Sequence, residues 1–274
     1  MSAYTSITSD KLVRLLGSPK GLALVDIRAE ADFAREPRLV PGAVRRDHAA
    51  VAQWGPALAG QSAIVICERG GHFGHGVAAW LRHCGVRAET LEGGFAAWAA
   101  AGLPLVPQDK LPPRDAQGRT VWVTRARPKV DRIACPWLIR RFVDPNAVFL
   151  FAPPSDVLGV AETFQAAPFD VEGVFWSHRG ANCAFDAMVE ELGLKTEPLL
   201  RLAAIVRGAD TARLDLVPEA AGLLAASLGL SRLYADDLEQ LEAGLALYDA
   251  FYRWCRDAVD ESHVWHAAPA NKRK

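Results

Sequence analysis

Over the first hundred residues, short apolar runs alternate with stretches of helical spacing. Leu22–Ile27 (LALVDI) and Ala63–Cys67 (AIVIC) are compact and rich in branched residues, the pattern of parallel strands buried on both faces. Ser9–Leu16, Gly76–Cys84 and Phe95–Ala101 carry apolar positions at helical spacing, and Gly85 follows the second as a C-terminal stop. Strands separated by helices predict an α/β layer with a parallel sheet. The pattern breaks between Leu103 and Gly118, where Pro104, Pro107, Pro112 and Pro113 oppose both helix and central strand. Beyond this seam, Thr120–Arg125 and Ala147–Phe151 read as strands around a helix at 132–142. From Cys183 onward the periodicity is helical, over 183–192, 196–207, 217–228 and 236–260. Asp236 and Asp237 open the last helix at its positive end. The expectation is an α/β domain over 1–106, a proline-rich linker over 107–118, a mostly helical α+β domain over 119–267 and a basic tail over 268–274.

Composition narrows the function classes. A chain of 274 residues suits two domains, and 50% hydrophobic with 23% charged residues is a globular balance. A net charge of −1 gives no reason to expect nucleic acid or an anionic membrane as partner. The N-terminus lacks the basic start and apolar core of a secretory signal, and no apolar stretch is long enough to span a bilayer. Five cysteines, an odd number with no C-x-x-C pair, argue against a disulfide framework. The expected setting is the cytoplasm, with reduced thiols.

The most informative segment is a strand followed by Cys67-Glu-Arg-Gly-Gly-His-Phe-Gly-His-Gly and a helix. A tight glycine turn lets backbone N–H groups point inward as an anion cradle, and the positive end of the following helix adds to the field. Both effects favour thiolate over thiol at Cys67. The bland alternative is a buried structural thiol, as most free cysteines are. A cysteine phosphatase or arsenate reductase of this loop type needs an arginine six positions after the nucleophile, and that position holds Phe73. His72 reads either as a positive or hydrogen-bonding group near the sulfur or as a solvated loop residue. His75, His83, Cys84 and Trp98 read as helix surface or packing.

Three blocks in order make residues 9–106 resemble the rhodanese homology domain. They are Leu24-Val-Asp-Ile-Arg28 with Val40-Pro-Gly-Ala-Val44, the Cys67 loop, and Leu91-Glu-Gly-Gly-Phe-Ala-Ala-Trp98 closing with Ala101-Gly-Leu-Pro104. The resemblance implies a sulfurtransferase with a persulfide on Cys67, cradled by Glu68, Arg69, Gly70, Gly71, His72 and Phe73. It implies a small anionic sulfur donor such as thiosulfate, a thiol acceptor and no required cofactor. It also implies structural roles for Asp26 and Arg28. The loop, with His72 and His75, departs from the commonest rhodanese sequence.

In the second half, Arg125, Arg127, Lys129, Asp131 and Arg132 gather between a strand and a helix, where arginines suit a small oxyanion. The alternative is a solvated face of Arg132, Arg140 and Arg141 with Asp131 as helix cap. His178, Cys183 and Asp186 hint at metal ligands but match no standard zinc spacing; His263 and His266 lie near the chain end. Residues 120–260 resemble the C-terminal domain of ChrB-type chromate-resistance proteins. The matching segments are Val123-Thr-Arg125, Asp131 to Pro145, His178 to Asp186, Leu202 to Asp210, Glu219 to Gly222 and Leu247 to Asp249. That resemblance implies a role in chromate resistance, with chromate as a further candidate ligand. Chromate is a tetrahedral dianion like thiosulfate, so the chain also reads as an oxyanion sensor. Arg125, Asp131, Arg132, Cys135 and His178 are the residues singled out here, and whether a metal joins them is left open.

Overall fold

The structure, a computed structural model, describes residues 6–19 and 22–261. It opens with β1 (Ser6–Ile7), α1 (Ser9–Leu15), β2 (Leu22–Asp26), α2 (Glu30–Arg35), β3 (Arg38–Leu39), β4 (Ala43–Arg45) and the single turn α3 (Val51–Trp54). The first half continues through β5 (Ser62–Ile66), α4 (His72–His83), β6 (Arg87–Leu91), α5 (Gly94–Ala100) and β7 (Val106–Pro107). Five strands form one sheet in the order β1-β6-β5-β2-β4, every pair parallel. The central strands explain why their sequences are continuously apolar. Ala63, Val65 and Cys67 point into a core with Val77 and Leu81, whereas Ile64 and Ile66 point into the opposite core. The two-residue repeat of a strand serves both faces, so no position is left for a polar residue.

The second half begins with a three-stranded parallel sheet. It runs through β8 (Val121–Arg125), α6 (Asp131–Phe142), β9 (Val148–Ala152), α7 (Val157–Phe164) and β10 (Ala167–Pro168), in the order β10-β8-β9. Helices α8 (Ala184–Glu191), α9 (Glu197–Asp210), α10 (Glu219–Leu233) and α11 (Asp237–Asp257) follow. The C-terminal part is mostly helical, as its periodicity predicts. Asp236 caps α11, accepting from the N–H groups of Leu238 and Glu239 at 2.9 Å.

Three local differences from the sequence expectation have simple causes. Helix α4 starts at His72 rather than Gly76, because Gly74 is needed inside the first turn, where a Cβ would lie 3.0 Å from Cys67 Sγ. Strand β6 (RAETL) has polar outward positions that hide it from an apolar-run search. Helix α7 is only eight residues long and holds Gly159, too short a window for a helical period to be read with assurance.

The proline-rich seam is tied to both halves. β7 pairs antiparallel with β3, and Leu105 and Val106 are buried. Arg114 then meets Asp144 at 3.0 Å, a carboxylate that also accepts from the backbone and hydroxyl of Thr120. One hydrophobic cluster runs through both halves, from Leu12, Leu16 and Ile66 to Trp137, Phe142, Phe185 and Tyr252. At its centre a Cβ on Gly17, which has φ +69°, would sit 2.5 Å from Phe142 and 2.6 Å from Tyr252. Gly17 is therefore where the loop after α1 meets the aromatic core of the second half. His263, His266 and the basic segment 268–274 lie outside the described residues. Among the described residues no helix is long and apolar enough to cross a membrane.

Candidate functional site

Cys67 follows the last residue of β5 and is buried at the floor of a cavity of about 390 Å³, also lined by Arg28, Arg35, His48, Glu68, Gly71 and Phe73. The loop that leads away from it is held from two sides. Phe95 N–H donates to Cys67 O at 2.8 Å, and Ala96 N–H donates to Glu68 O at 2.9 Å. Gly94, with φ +62°, allows this approach; a Cβ there would lie 2.3 Å from Cys67 O and 2.7 Å from Gly70 N. The carbonyls of Cys67 and Glu68 are thus occupied, while among the described residues no protein group accepts from the N–H groups of 68–71. With the N–H groups of His72, Phe73 and Gly74 at the start of α4, this leaves a set of donors on the segment that follows the sulfur. His72 and Phe73 are exposed and their rings stand 4.2 Å apart, while His48, which the sequence did not single out, faces Phe73 at 4.9 Å. Glu68 carries a buried Oε2 with no hydrogen-bond donor. Asp26 and Arg28 form a fully buried pair at 2.7 Å. Arg28 also donates to the carbonyls of Glu36 and Arg38 and lies 3.5 Å from the Phe95 ring centroid. The pair therefore ties β2, β3 and α5 together beneath the cysteine loop.

A second constellation lies in the other half, around His178. Its Nε2 is 3.3 Å from Asp131 Oδ2, 3.2 Å from Asp170 Oδ1 and 3.3 Å from Asp210 Oδ2. Asp131 is the first residue of α6, Asp170 follows β10, and Asp210 is the last residue of α9. Arg125 and Arg132 approach Asp170 Oδ2 at 2.7 and 3.2 Å. Together with Lys129 they wall a cavity of about 380 Å³. Contact with Asp131 first, and then the charges of Asp210 and Asp170, raise the His178 imidazole to about 9 despite partial burial. Burial and then the charge of Asp131 push the Asp210 carboxyl up to about 8, and the same two causes raise Asp170. The backbone is strained here as well: Val130 has φ +41° and Asp170 φ +50°. Val130 is held there by Ser227 Oγ at its N–H and Tyr248 OH at its carbonyl.

Comparison with known proteins places both sites in a family context. A model described as rhodanese-like domain matches residues 8–101, and one described as ChrB, C-terminal domain matches residues 122–255. The chain joins a rhodanese-like domain to a ChrB C-terminal domain. Protein ChrB of Cupriavidus metallidurans is 37% identical over 161 residues, covering 55% of this chain and 46% of that protein. The chain spans about half the length of that relative. Among solved structures, a rhodanese-related protein from Thermoplasma volcanium is 20% identical with a TM-score of 0.33, covering 38% of this chain and 98% of that one. A thiosulfate sulfurtransferase from Pseudomonas aeruginosa is 27% identical with a TM-score of 0.33, covering 39% of this chain and 20% of that one.

In the rhodanese-like domain, Glu68, Arg69, Gly71, His72 and Phe73 line the cavity with Cys67, and Gly70 does not. In the ChrB domain, Arg125, Asp131, Arg132 and His178 meet in one cavity, but Cys135 does not line it. Cys135 is fully buried one turn along α6, and burial first, then the charge of Asp131, push its thiol well above 9. Cys183 and Asp186 are engaged with each other at the start of α8, and Asp186 pairs with Arg207 at 2.6 Å. Asp170 and Asp210 are the residues the sequence reading missed. One signal was available: Asp210 sits at the negative end of a long helix, where a carboxylate is locally unfavourable.

Proposed function

We propose that the rhodanese-like domain is a sulfurtransferase that carries sulfur as a persulfide on Cys67, within a chromate-related role of the whole chain. The observation that supports this best is Cys67 in the wall of a cavity, at the start of a loop whose N–H groups at 68–71 meet no protein acceptor among the described residues. The thiolate attacks the outer sulfur of a thiosulfate-like donor. The donor S–S bond breaks, sulfite leaves with the electron pair, and a Cys67 persulfide remains. An acceptor thiolate then attacks the terminal sulfur and releases Cys67 as thiolate. The donors beside Cys67 are placed to stabilise the negative terminal sulfur, and no step needs a cofactor.

The ChrB domain supports the chromate connection, its relative being a ChrB protein. An oxyanion bound by Arg125 and Arg132 is the less supported reading, because both guanidinium groups already face Asp170 in a cavity with three carboxyl groups.

Whole-protein mass after brief incubation with thiosulfate tests the proposal. Wild type is expected to gain about one sulfur atom, removed by a reducing thiol, and Cys67→Ser is expected to gain none. An equal gain in the variant would exclude Cys67 as the carrier. No gain in folded wild type with thiosulfate, or with a persulfide donor, would remove the sulfurtransferase reading.

A further inference from the structure

We propose that Asp131, Asp170 and His178, with Asp210 beside them, form a site for one divalent cation of the Mn²⁺ or Fe²⁺ type. Three carboxylate oxygens lie 3.2–3.3 Å from a single imidazole nitrogen. That nitrogen carries at most one proton, so it satisfies at most one of them by a hydrogen bond. Ligand atoms around a common ion at about 2.1 Å would be about 3.0 Å apart at octahedral edges and about 3.4 Å apart at tetrahedral ones. The three observed separations fall between these values. The ligand atoms of Asp131, Asp170 and His178 all lie within 4.8 Å of one another.

A further feature of the same cluster points the same way. Asp131 is 1% exposed and lines the cavity, and its Oδ2, 3.3 Å from the shared His178 Nε2, completes no hydrogen bond in that geometry. A buried carboxylate oxygen without a donor is costly, and a bound cation removes that cost. The surroundings are those of a supported site. Asp170 gives one oxygen to Arg125 and Arg132 and turns the other toward His178, the outer-shell arrangement that orients a ligating carboxylate. The cavity of about 380 Å³ provides an entry path, and His178 is 40% exposed along it.

The donor set selects the ion. Three carboxylates favour hard cations, one imidazole favours first-row transition metals, and no thiolate is among the contacting atoms. Mn²⁺ and Fe²⁺ satisfy both preferences.

Electron paramagnetic resonance of Mn²⁺ titrated into the full chain tests the site, since Mn²⁺ has little affinity for the five thiols. Wild type is expected to bind one Mn²⁺ per chain. Removing an outer-shell partner alone costs about 10–100-fold in affinity, so Asp210→Asn and His178→Gln should each lose at least that much. Asp215→Asn, on an exposed carboxylate, should bind as wild type does. Pulsed measurement on the wild-type complex is expected to show nitrogen coupling from one imidazole, which keeps the proposal testable if both variants misfold. No saturable binding of Mn²⁺ or of anaerobic Fe²⁺ by folded wild type would overturn it. Equal binding by wild type and both folded variants, or bound Mn²⁺ without nitrogen coupling, would do so too.

Discussion

Gly94→Ala is expected to destabilise the protein by about 2–5 kcal/mol and to abolish sulfur loading on Cys67 in whatever fraction folds. Two costs combine. The residue has φ +62°, where an L side chain costs about 1–2 kcal/mol. The new methyl would lie 2.3 Å from Cys67 O, 2.7 Å from Gly70 N and 2.9 Å from Arg69 N, all backbone atoms that no rotamer change can move aside. The cysteine loop must retreat from α5, breaking the hydrogen bonds from Phe95 and Ala96 that occupy its carbonyls. Gly102→Ala separates the two costs, because Gly102 has φ +66° with nothing within 4 Å of an added Cβ. Urea unfolding should show a loss of only about 1–2 kcal/mol for Gly102→Ala, with sulfur loading intact. If Gly94→Ala proved no worse than Gly102→Ala and still took up sulfur, the loop would not depend on that close approach.

Trp137→Ala is expected to cost about 3–5 kcal/mol, and to lower the stability of both halves together. Trp137 is fully buried on α6, with Tyr252 at 5.4 Å, Phe142 at 5.7 Å, Tyr248 at 6.4 Å and Phe185 at 6.5 Å between ring centroids. Its removal leaves a large void and takes a 2.8 Å donor from Asp249. The same cluster reaches Leu12, Leu16 and Ile66 beneath the five-stranded sheet. Unfolding should therefore remain one transition, shifted to lower urea. Trp80→Ala, at a half-exposed position on α4, should shift it by no more than about 0.5 kcal/mol. Two separated transitions in Trp137→Ala, the first half keeping its midpoint, would show that the shared cluster does not couple the halves.

The cysteine site was legible because it is local. Ala63–Cys67, the glycines at 70, 71 and 74 and the helix that follows are contiguous, so apolar run, turn and helix start are all read within one short segment. Even there the sequence placed the helix start four residues late. The reason for Gly74, the nearness of the Cys67 sulfur, exists only once the strand and helix are packed. In the second half, Arg125, Asp131, Arg132 and His178 stood out as polar groups near element ends. Cys135 stood out for its chemistry, yet the fold buries it in the core of α6, away from the cavity. Asp170 had nothing beside it in the chain to mark it, and Asp210 only its place at the negative end of a long helix.

By itself, then, the sequence determined the order of the two halves, a parallel sheet before a helical region, and the cysteine at the end of a central strand. These follow from periodicity and turn chemistry, which act between neighbouring residues. Only the tertiary structure decided that the proline-rich seam is tied to both halves, that one hydrophobic core serves both halves, and that three distant carboxylates converge on one imidazole. The physical reason is the same for all three. Apolar burial has no direction and ignores separation along the chain. Where the packed helices and strands come to rest sets which of their polar ends meet.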